Sequence, residues 1–121
     1  MDVEKERREF GKHYLVEFVG CDPARLKTVE TVKGAFLEAA RLSGATLLGS
    51  HFHQFTPHGV SAMIFIAESH FSIHTWPEHG YVAFDVLTCG VMEPERAIEY
   101  LRVFFKAKSV EKRILSRGFA S

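Results

Sequence analysis

Residues 68–78 (ESHFSIHTWPE) and 81–90 (YVAFDVLTCG) hold a carboxylate, hydroxyls, imidazoles and the Cys89 thiol in sequence that otherwise reads as two short strands joined by a turn. Such a density of reactive groups points to a site. Glu68, Ser69 and His70 are contiguous, and successive strand side chains point to opposite faces, so these three do not form a serine–histidine relay among themselves. The chain also lacks the glycine-flanked elbow that presents a hydrolase serine. What Ser69 can do is attack its own backbone. Its hydroxyl adds to the Glu68 carbonyl and turns the amide into an ester; elimination then splits the chain and leaves a pyruvoyl ketone on the new N-terminus. The step needs a strained peptide, a donor for the developing oxyanion and a base for the Ser69 Cα proton. Ser61 is the candidate hydroxyl donor and His74 the candidate base.

Six of the seven histidines fall between His51 and His79, with His51 and His53 sharing one strand face and His70 and His74 another. Imidazoles so placed can converge on a metal, but no cysteine pair and no His-Glu-x-x-His helix accompanies them, so no metal is expected. Ordinary structural histidines remain an open reading for each one. Cys21 and Cys89 make no disulfide framework, and each is read as a buried or a working thiol. For Cys89 the plain alternative is a small buried hydrophobe, and for Phe55 it is core packing.

These groups need elements to hold them. Residues 1–12 read as a charged lead-in, with a frayed helical turn closed by Gly11, and residues 13–19 (HYLVEFV) as a strand with Tyr14, Val16 and Phe18 on one face. Asp22-Pro23 offers a capping carboxylate and a first-turn proline, so a helix is expected from there to the Gly44 cap, its stripe made by Leu26, Val29, Val32, Phe36, Ala39 and Ala40. From Thr46 the period becomes two. Strands are expected over 46–55, 60–67, 69–76 and 81–88, with short Pro-Gly turns between them that make neighbours antiparallel. Glu93-Pro94 opens a second amphipathic helix carrying Ala97, Ile98, Leu101, Phe104 and Phe105 inward, and 109–115 reads as a charged edge strand. The expected architecture is α+β: a single domain over 1–121, a two-layer α/β sandwich whose mainly antiparallel sheet carries two helices on one face. The other face would then leave Phe55, Phe71 and Trp76 wet, which calls for a covering surface, most simply a second copy of the chain.

A 121-residue chain that is 46% hydrophobic and 25% charged can bury a core without staples. Fifteen basic residues offset fifteen acidic ones, so no global field recruits nucleic acid or an anionic membrane. No apolar run reaches spanning length and the N-terminus is charged where a signal peptide is apolar, so a cytoplasmic protein is expected.

The motif Glu68-Ser69-His70-x-x-Ile73-His74-Thr75-Trp76-Pro77-Glu78 resembles the prokaryotic S-adenosylmethionine decarboxylase proenzymes. Its companions do too: Phe55-x-Pro57-x-Gly59-Val60-Ser61 and Ser43-Gly-Ala-Thr46 upstream, and Thr88-Cys89-Gly90 downstream. The likeness runs from Gly11 to Lys108. It implies a self-processing enzyme that cuts between Glu68 and Ser69, giving pieces 1–68 and 69–121, and that uses the Ser69-derived pyruvoyl group to decarboxylate S-adenosylmethionine for polyamine synthesis. By the same resemblance Ser61 and His74 are the processing pair and Cys89 is the catalytic proton donor, also used in processing. Phe55 stacks on the adenine and Glu78 binds the ribose hydroxyls. The implied assembly is a two-fold homodimer, with Ser69 and Cys89 from one protomer and Phe55, Ser61, His74 and Glu78 from the other. The chemistry is consistent with those roles. The pyruvoyl ketone, condensed with the substrate amine, accepts the electrons released with carbon dioxide, and a thiol, ordinarily titrating near about 8.5, is a usable acid at neutral pH. Acidic residues on the first strand are limited to Glu17, so diamine activation of the eukaryotic kind is not expected. The same machinery could decarboxylate a free amino acid such as ornithine or arginine, and a histidine-lined metal- or ligand-binding module is the more distant alternative.

Overall fold

The computed structural model describes residues 6–120. Six strands form one sheet: β1 (Arg7–Val19), β2 (Leu47–Gln54), β3 (Val60–Ile66), β4 (Ser69–Trp76), β5 (Tyr81–Thr88) and β6 (Ser109–Ala120), in the spatial order β2-β3-β4-β5-β1-β6. Every neighbouring pair is antiparallel. Two helices, α1 (Val29–Leu42) and α2 (Pro94–Phe105), connect β1 to β2 and β5 to β6. The α+β sandwich expected from the period changes is the one observed.

Both helices lie on one face because the apolar positions of all the central strands point there. Val16 and Phe18 of β1, Val60, Ala62, Ile64 and Ile66 of β3, Phe71 and Ile73 of β4, and Val82, Phe84 and Val86 of β5 are buried. Phe36 of α1 is the hub, meeting Phe52, Phe71 and Phe84 edge-on at ring separations of 6.2–6.4 Å. Phe105 of α2 reaches Phe18 of β1 in the same manner. Truncating a buried phenylalanine of this kind typically costs about 3–5 kcal/mol.

Three elements differ from the sequence expectation. The first helix is divided: Asp22 caps only a short 3-10 turn, Pro23–Arg25, and α1 starts afresh at the Thr28 cap. The reason lies in the carbonyls between them. Leu26 O accepts from the Thr75 hydroxyl (2.8 Å), and Lys27 O accepts from the Gly59 amide (2.9 Å) and from Gln54 Nε2 (2.9 Å). Those acceptors serve the sheet, so they are not available to a continuing helix. β1 begins at Arg7, six positions before the expected start, and β6 runs to Ala120, because the two strands pair along their whole length. That pairing replaces the helical turn expected before Gly11, whose first five residues lie outside the described ones. Gly11 sits beside a β-bulge where a Cβ would come within 2.5 Å of the Thr88 carbonyl. Finally, Phe71, expected on the open face, is fully buried under α1. The α1-facing positions of β4 are the odd-numbered ones, and Phe71 shares that parity with Ile73.

The opposite sheet face carries no helix. Phe55, Phe65, Trp76 and Leu115 remain 40–54% exposed. Among the described residues, no helix is long and apolar enough to cross a membrane.

Candidate active site

β4 is bordered by two groups of chemistry-bearing residues, one at each end. At its start, the turn 67–68 delivers Ser69 with φ +142°, a left-handed value that side chains rarely adopt. Strain of this kind costs on the order of 1–3 kcal/mol and persists where neighbouring contacts enforce it. Here they do. The Glu68 carboxylate accepts from the Thr46 amide (3.0 Å) and hydroxyl (3.2 Å). The Thr46 amide is the main reason its pKa lies below the usual glutamate value, against a smaller upward push from burial. The Glu68 carbonyl accepts from the Cys89 amide at 3.0 Å and from the Cys89 thiol, also at 3.0 Å. The Ser69 hydroxyl points to the same sulfur, 3.8 Å away. Gly90 allows this approach, since a Cβ there would sit 3.1 Å from Glu68 Cγ. A hydroxyl, a strained peptide and two donors on the carbonyl before it therefore meet at one bond.

At the far end of β4, Ser61 and His74 are cross-strand partners, and Ser61 Oγ lies 2.7 Å from His74 Nδ1. Phe55, Ser61, His74 and Glu78 line one pocket of about 230 Å³, together with His58, Thr75 and Trp76. The Phe55 ring is held edge-to-face by His53 at 4.6 Å, leaving it 47% exposed. Glu78 stands in the 3-10 turn Pro77–His79 with His58 Nε2 3.9 Å from its carboxylate. An aromatic plate, a carboxylate and a hydroxyl–imidazole pair thus share a half-open pocket.

The two groups do not meet within one chain. Ser69 and His74 are five positions apart on an extended strand, about 17 Å at roughly 3.3 Å per residue. The structure brings Glu68, Ser69 and Cys89 together, and separately Phe55, Ser61, His74 and Glu78. Neither Ser61 nor His74 reaches Ser69 of its own chain. Cys89 also opens onto a second cavity of about 440 Å³, bordered by Phe10, Lys12, Tyr14 and Met92. Cys21 is plain core: burial pushes its thiol up to about 11.

Sequence reasoning missed Thr46 as the anchor of Glu68, although its Ser-Gly-Ala-Thr context was noticed. It also missed Asp85, which gathers His13, His70 and Ser72 on the helix-free face. An aspartate in an apolar strand was the available signal, because buried carboxylates require partners.

Comparison with known proteins agrees with this geometry. The sequence profile of the family described as S-adenosylmethionine decarboxylase matches residues 12–118, so it takes in most of β6 as well as the motif strands. The chain is 45% identical over 114 residues to the S-adenosylmethionine decarboxylase proenzyme of Thermococcus gammatolerans, covering 93% of this chain and 80% of that one. It is 46% identical over 109 residues to the proenzyme of Pyrococcus furiosus (89% and 78% covered) and 45% over 112 residues to that of Acidithiobacillus ferrooxidans (92% and 84%). The crystal structure of the adenosylmethionine decarboxylase from Aquifex aeolicus superposes with a TM-score of 0.86 at 35% identity, over 94% of this chain and 95% of that one. With the family profile spanning nearly the whole sheet and both helices, the chain belongs to the S-adenosylmethionine decarboxylase family.

Proposed function

We propose that this chain cuts itself between Glu68 and Ser69, and that the resulting two-piece domain, 1–68 and 69–121, works as a S-adenosylmethionine decarboxylase for polyamine synthesis. The observation that carries the reading is the Glu68 carbonyl, which receives both Cys89 donors next to a Ser69 backbone of positive φ. Attack by Ser69 Oγ forms a C–O bond, breaks the C–N bond and passes the hydroxyl proton to the nitrogen. The Cys89 amide and thiol stabilise the oxyanion of that step. A base then removes the Ser69 Cα proton, the Cβ–O bond breaks and Glu68 leaves as a carboxylate. Water replaces the nitrogen, ammonia departs and a ketone remains.

The pyruvoyl group so formed supplies a sink for the electrons left when carbon dioxide departs. The residues around it divide the rest of the work. Cys89, beside Ser69, holds the proton delivered to the substrate α-carbon. Phe55 stacks on the adenine and Glu78 takes the ribose hydroxyls. The Ser61–His74 pair, which joins β3 to the far end of β4 and is too distant to serve its own Ser69, serves the Ser69 of a second copy, so the working unit is a two-fold homodimer with shared sites. The exposed aromatic residues of the helix-free face fit that arrangement.

The test is denaturing mass spectrometry followed by release of labelled carbon dioxide. Purified protein is expected as pieces 1–68 and 69–121, the second bearing a pyruvoyl end, whereas Ser69→Ala stays one chain. The cleaved protein is expected to release carbon dioxide from S-adenosylmethionine, with ornithine and arginine far poorer. An uncut wild-type chain that carbonyl reagents do not label would overturn the cleavage reading. Preference for ornithine or arginine would overturn the substrate.

A further inference from the structure

On the helix-free face a chain of polar groups crosses four strands. His13 Nε2 of β1 lies 2.6 Å from Asp85 Oδ2 of β5, and His70 Nε2 of β4 lies 3.2 Å from the same oxygen. The Ser72 hydroxyl donates to Asp85 Oδ1 in a short contact, and Arg117 of β6 reaches His13 Nδ1 at 2.9 Å. A guanidinium only donates, so Arg117 makes Nδ1 of His13 the acceptor and leaves its Nε2–H for Asp85. Burial alone would raise the Asp85 pKa, yet the hydrogen bonds from His13, Ser72 and His70 outweigh it and hold the carboxyl below the ordinary aspartate value. The side chains of His13, Asp85 and His70 are only 16–26% exposed, which strengthens such charge-assisted bonds. The same three donor groups converge closely enough to suggest a metal centre. Their spacing argues otherwise: atoms 2.6 Å apart are hydrogen-bonded, and two ligands each about 2.0–2.2 Å from zinc in tetrahedral geometry stand farther apart.

The position of this network gives it a use. Before cleavage the chain on each side of the Glu68–Ser69 bond has its own anchor. Glu68 is tied to Thr46 and Cys89, while the residues just after Ser69 are tied to Asp85 through His70 and Ser72. Cutting the bond turns Ser69 into a chain end, and chain ends fray unless tied down. We infer that Asp85 is a positioning residue: its hold on His70 and Ser72, braced by His13 and Arg117, keeps the new end of β4 in register once the covalent tether is gone. This inference rests on the cleavage reading above. It adds that the network is dispensable for cutting and needed afterwards, because only the cut chain has a free end to restrain.

The decisive comparison is amide hydrogen exchange of His70, Phe71 and Ser72 in the cut protein and in the uncut Ser69→Ala protein, each with and without Asp85→Asn. Mass spectrometry of wild type first establishes that cutting occurs, which separates failure of this inference from failure of the cleavage reading. In the cut protein Asp85→Asn is expected to speed exchange at these amides about tenfold or more; in the uncut protein the change stays within about twofold. Turnover of cut Asp85→Asn is expected to fall by about tenfold to a hundredfold through kcat with KM little changed, while the cutting rate stays within about threefold of wild type. Should Asp85→Asn not fold, His70→Leu takes its place, and His70→Gln, which keeps a side-chain N–H donor, is expected to restore both exchange protection and kcat. An equal effect of Asp85→Asn on exchange in cut and uncut proteins, or loss of cutting in parallel with turnover, would overturn the inference. So would turnover lost to a chelator and restored by zinc, which would make the cluster a metal centre.

Discussion

On the proposed reading, the backbone itself is the reactive group at the start of β4, whereas at its end the chemistry rests on side chains that stand half in solvent. The Glu68–Ser69 bond is gripped by Thr46, by both donors of Cys89 and by a φ of +142°. Phe55 and the Glu78 side chain, by contrast, are 47% and 52% exposed, and the pocket they line is open. The bond proposed to break once is held by contacts made when the sheet forms. A pocket that must admit and release a substrate is left to be completed by that substrate and, on the present reading, by a second chain. The two ends should therefore respond to substitution in different ways.

The largest effect is expected from pairing broken halves. Ser69→Ala and His74→Ala homodimers should each be nearly inactive, yet coexpression should restore about a quarter of wild-type turnover, because half of the dimers then carry one intact shared site. Heterodimers that form, as a tagged pull-down would show, but regain no activity would mean that each chain completes its own site. Next in size is Cys89→Ala, which removes the thiol, both donor and proton carrier at the gripped end, but keeps the amide and changes the volume little. Cutting and turnover should both fall by about a hundredfold or more, judged by fragment formation and by carbon dioxide release. Values within twofold of wild type would return Cys89 to a packing role.

At the open end, Phe55→Ala and Glu78→Gln should weaken use of S-adenosylmethionine by about 1–3 kcal/mol each, read as kcat/KM, while cutting proceeds at the wild-type rate. Slowed cutting in either variant would erase the division between the two ends. The smallest effect concerns acid. Asp85 has a folded pKa below its unfolded value, so the unfolded chain binds the proton more readily and stability rises with pH across that interval. The contribution is complete above the ordinary aspartate value of 3.8 and is lost as pH falls through the lower folded value. Denaturant titrations should thus show wild type and Asp85→Asn converging below about pH 4 and separating above it. A constant gap across that range would show that the carboxylate charge contributes nothing there.

Much of the fold was legible because local chemistry and periodicity agreed. β4 and β5 have the bounds that alternation and the Pro77–Gly80 turn implied, and α2 starts at the Glu93-Pro94 signal. Where the expectation failed, a distant partner had intervened. Asp22-Pro23 is a sound helix start, yet the Leu26 and Lys27 carbonyls are claimed by Thr75, Gly59 and Gln54, and the helix begins again at Thr28. The first residues of β1 are too charged to read as a strand, and they become one through pairing with β6 about a hundred positions away.

The site divides along the same line. Sequence alone determined which groups are present, and the resemblance of Glu68-Ser69, Ser61, His74 and Cys89 to the family's motif marked the dipeptide expected to break. It also settled the strand parity that keeps Ser69 and His70 on opposite faces, since that follows from the extended backbone. Only the tertiary structure decided that Cys89 aims two donors at the Glu68 carbonyl and that Thr46 holds the Glu68 carboxylate. It alone separated Ser61 and His74 from their own Ser69 by most of a strand, and joined His13, His70 and Ser72 through Asp85. Those contacts depend on which strand lies beside which and in what register, and register is fixed by packing a whole sheet face, a property no short stretch of sequence contains.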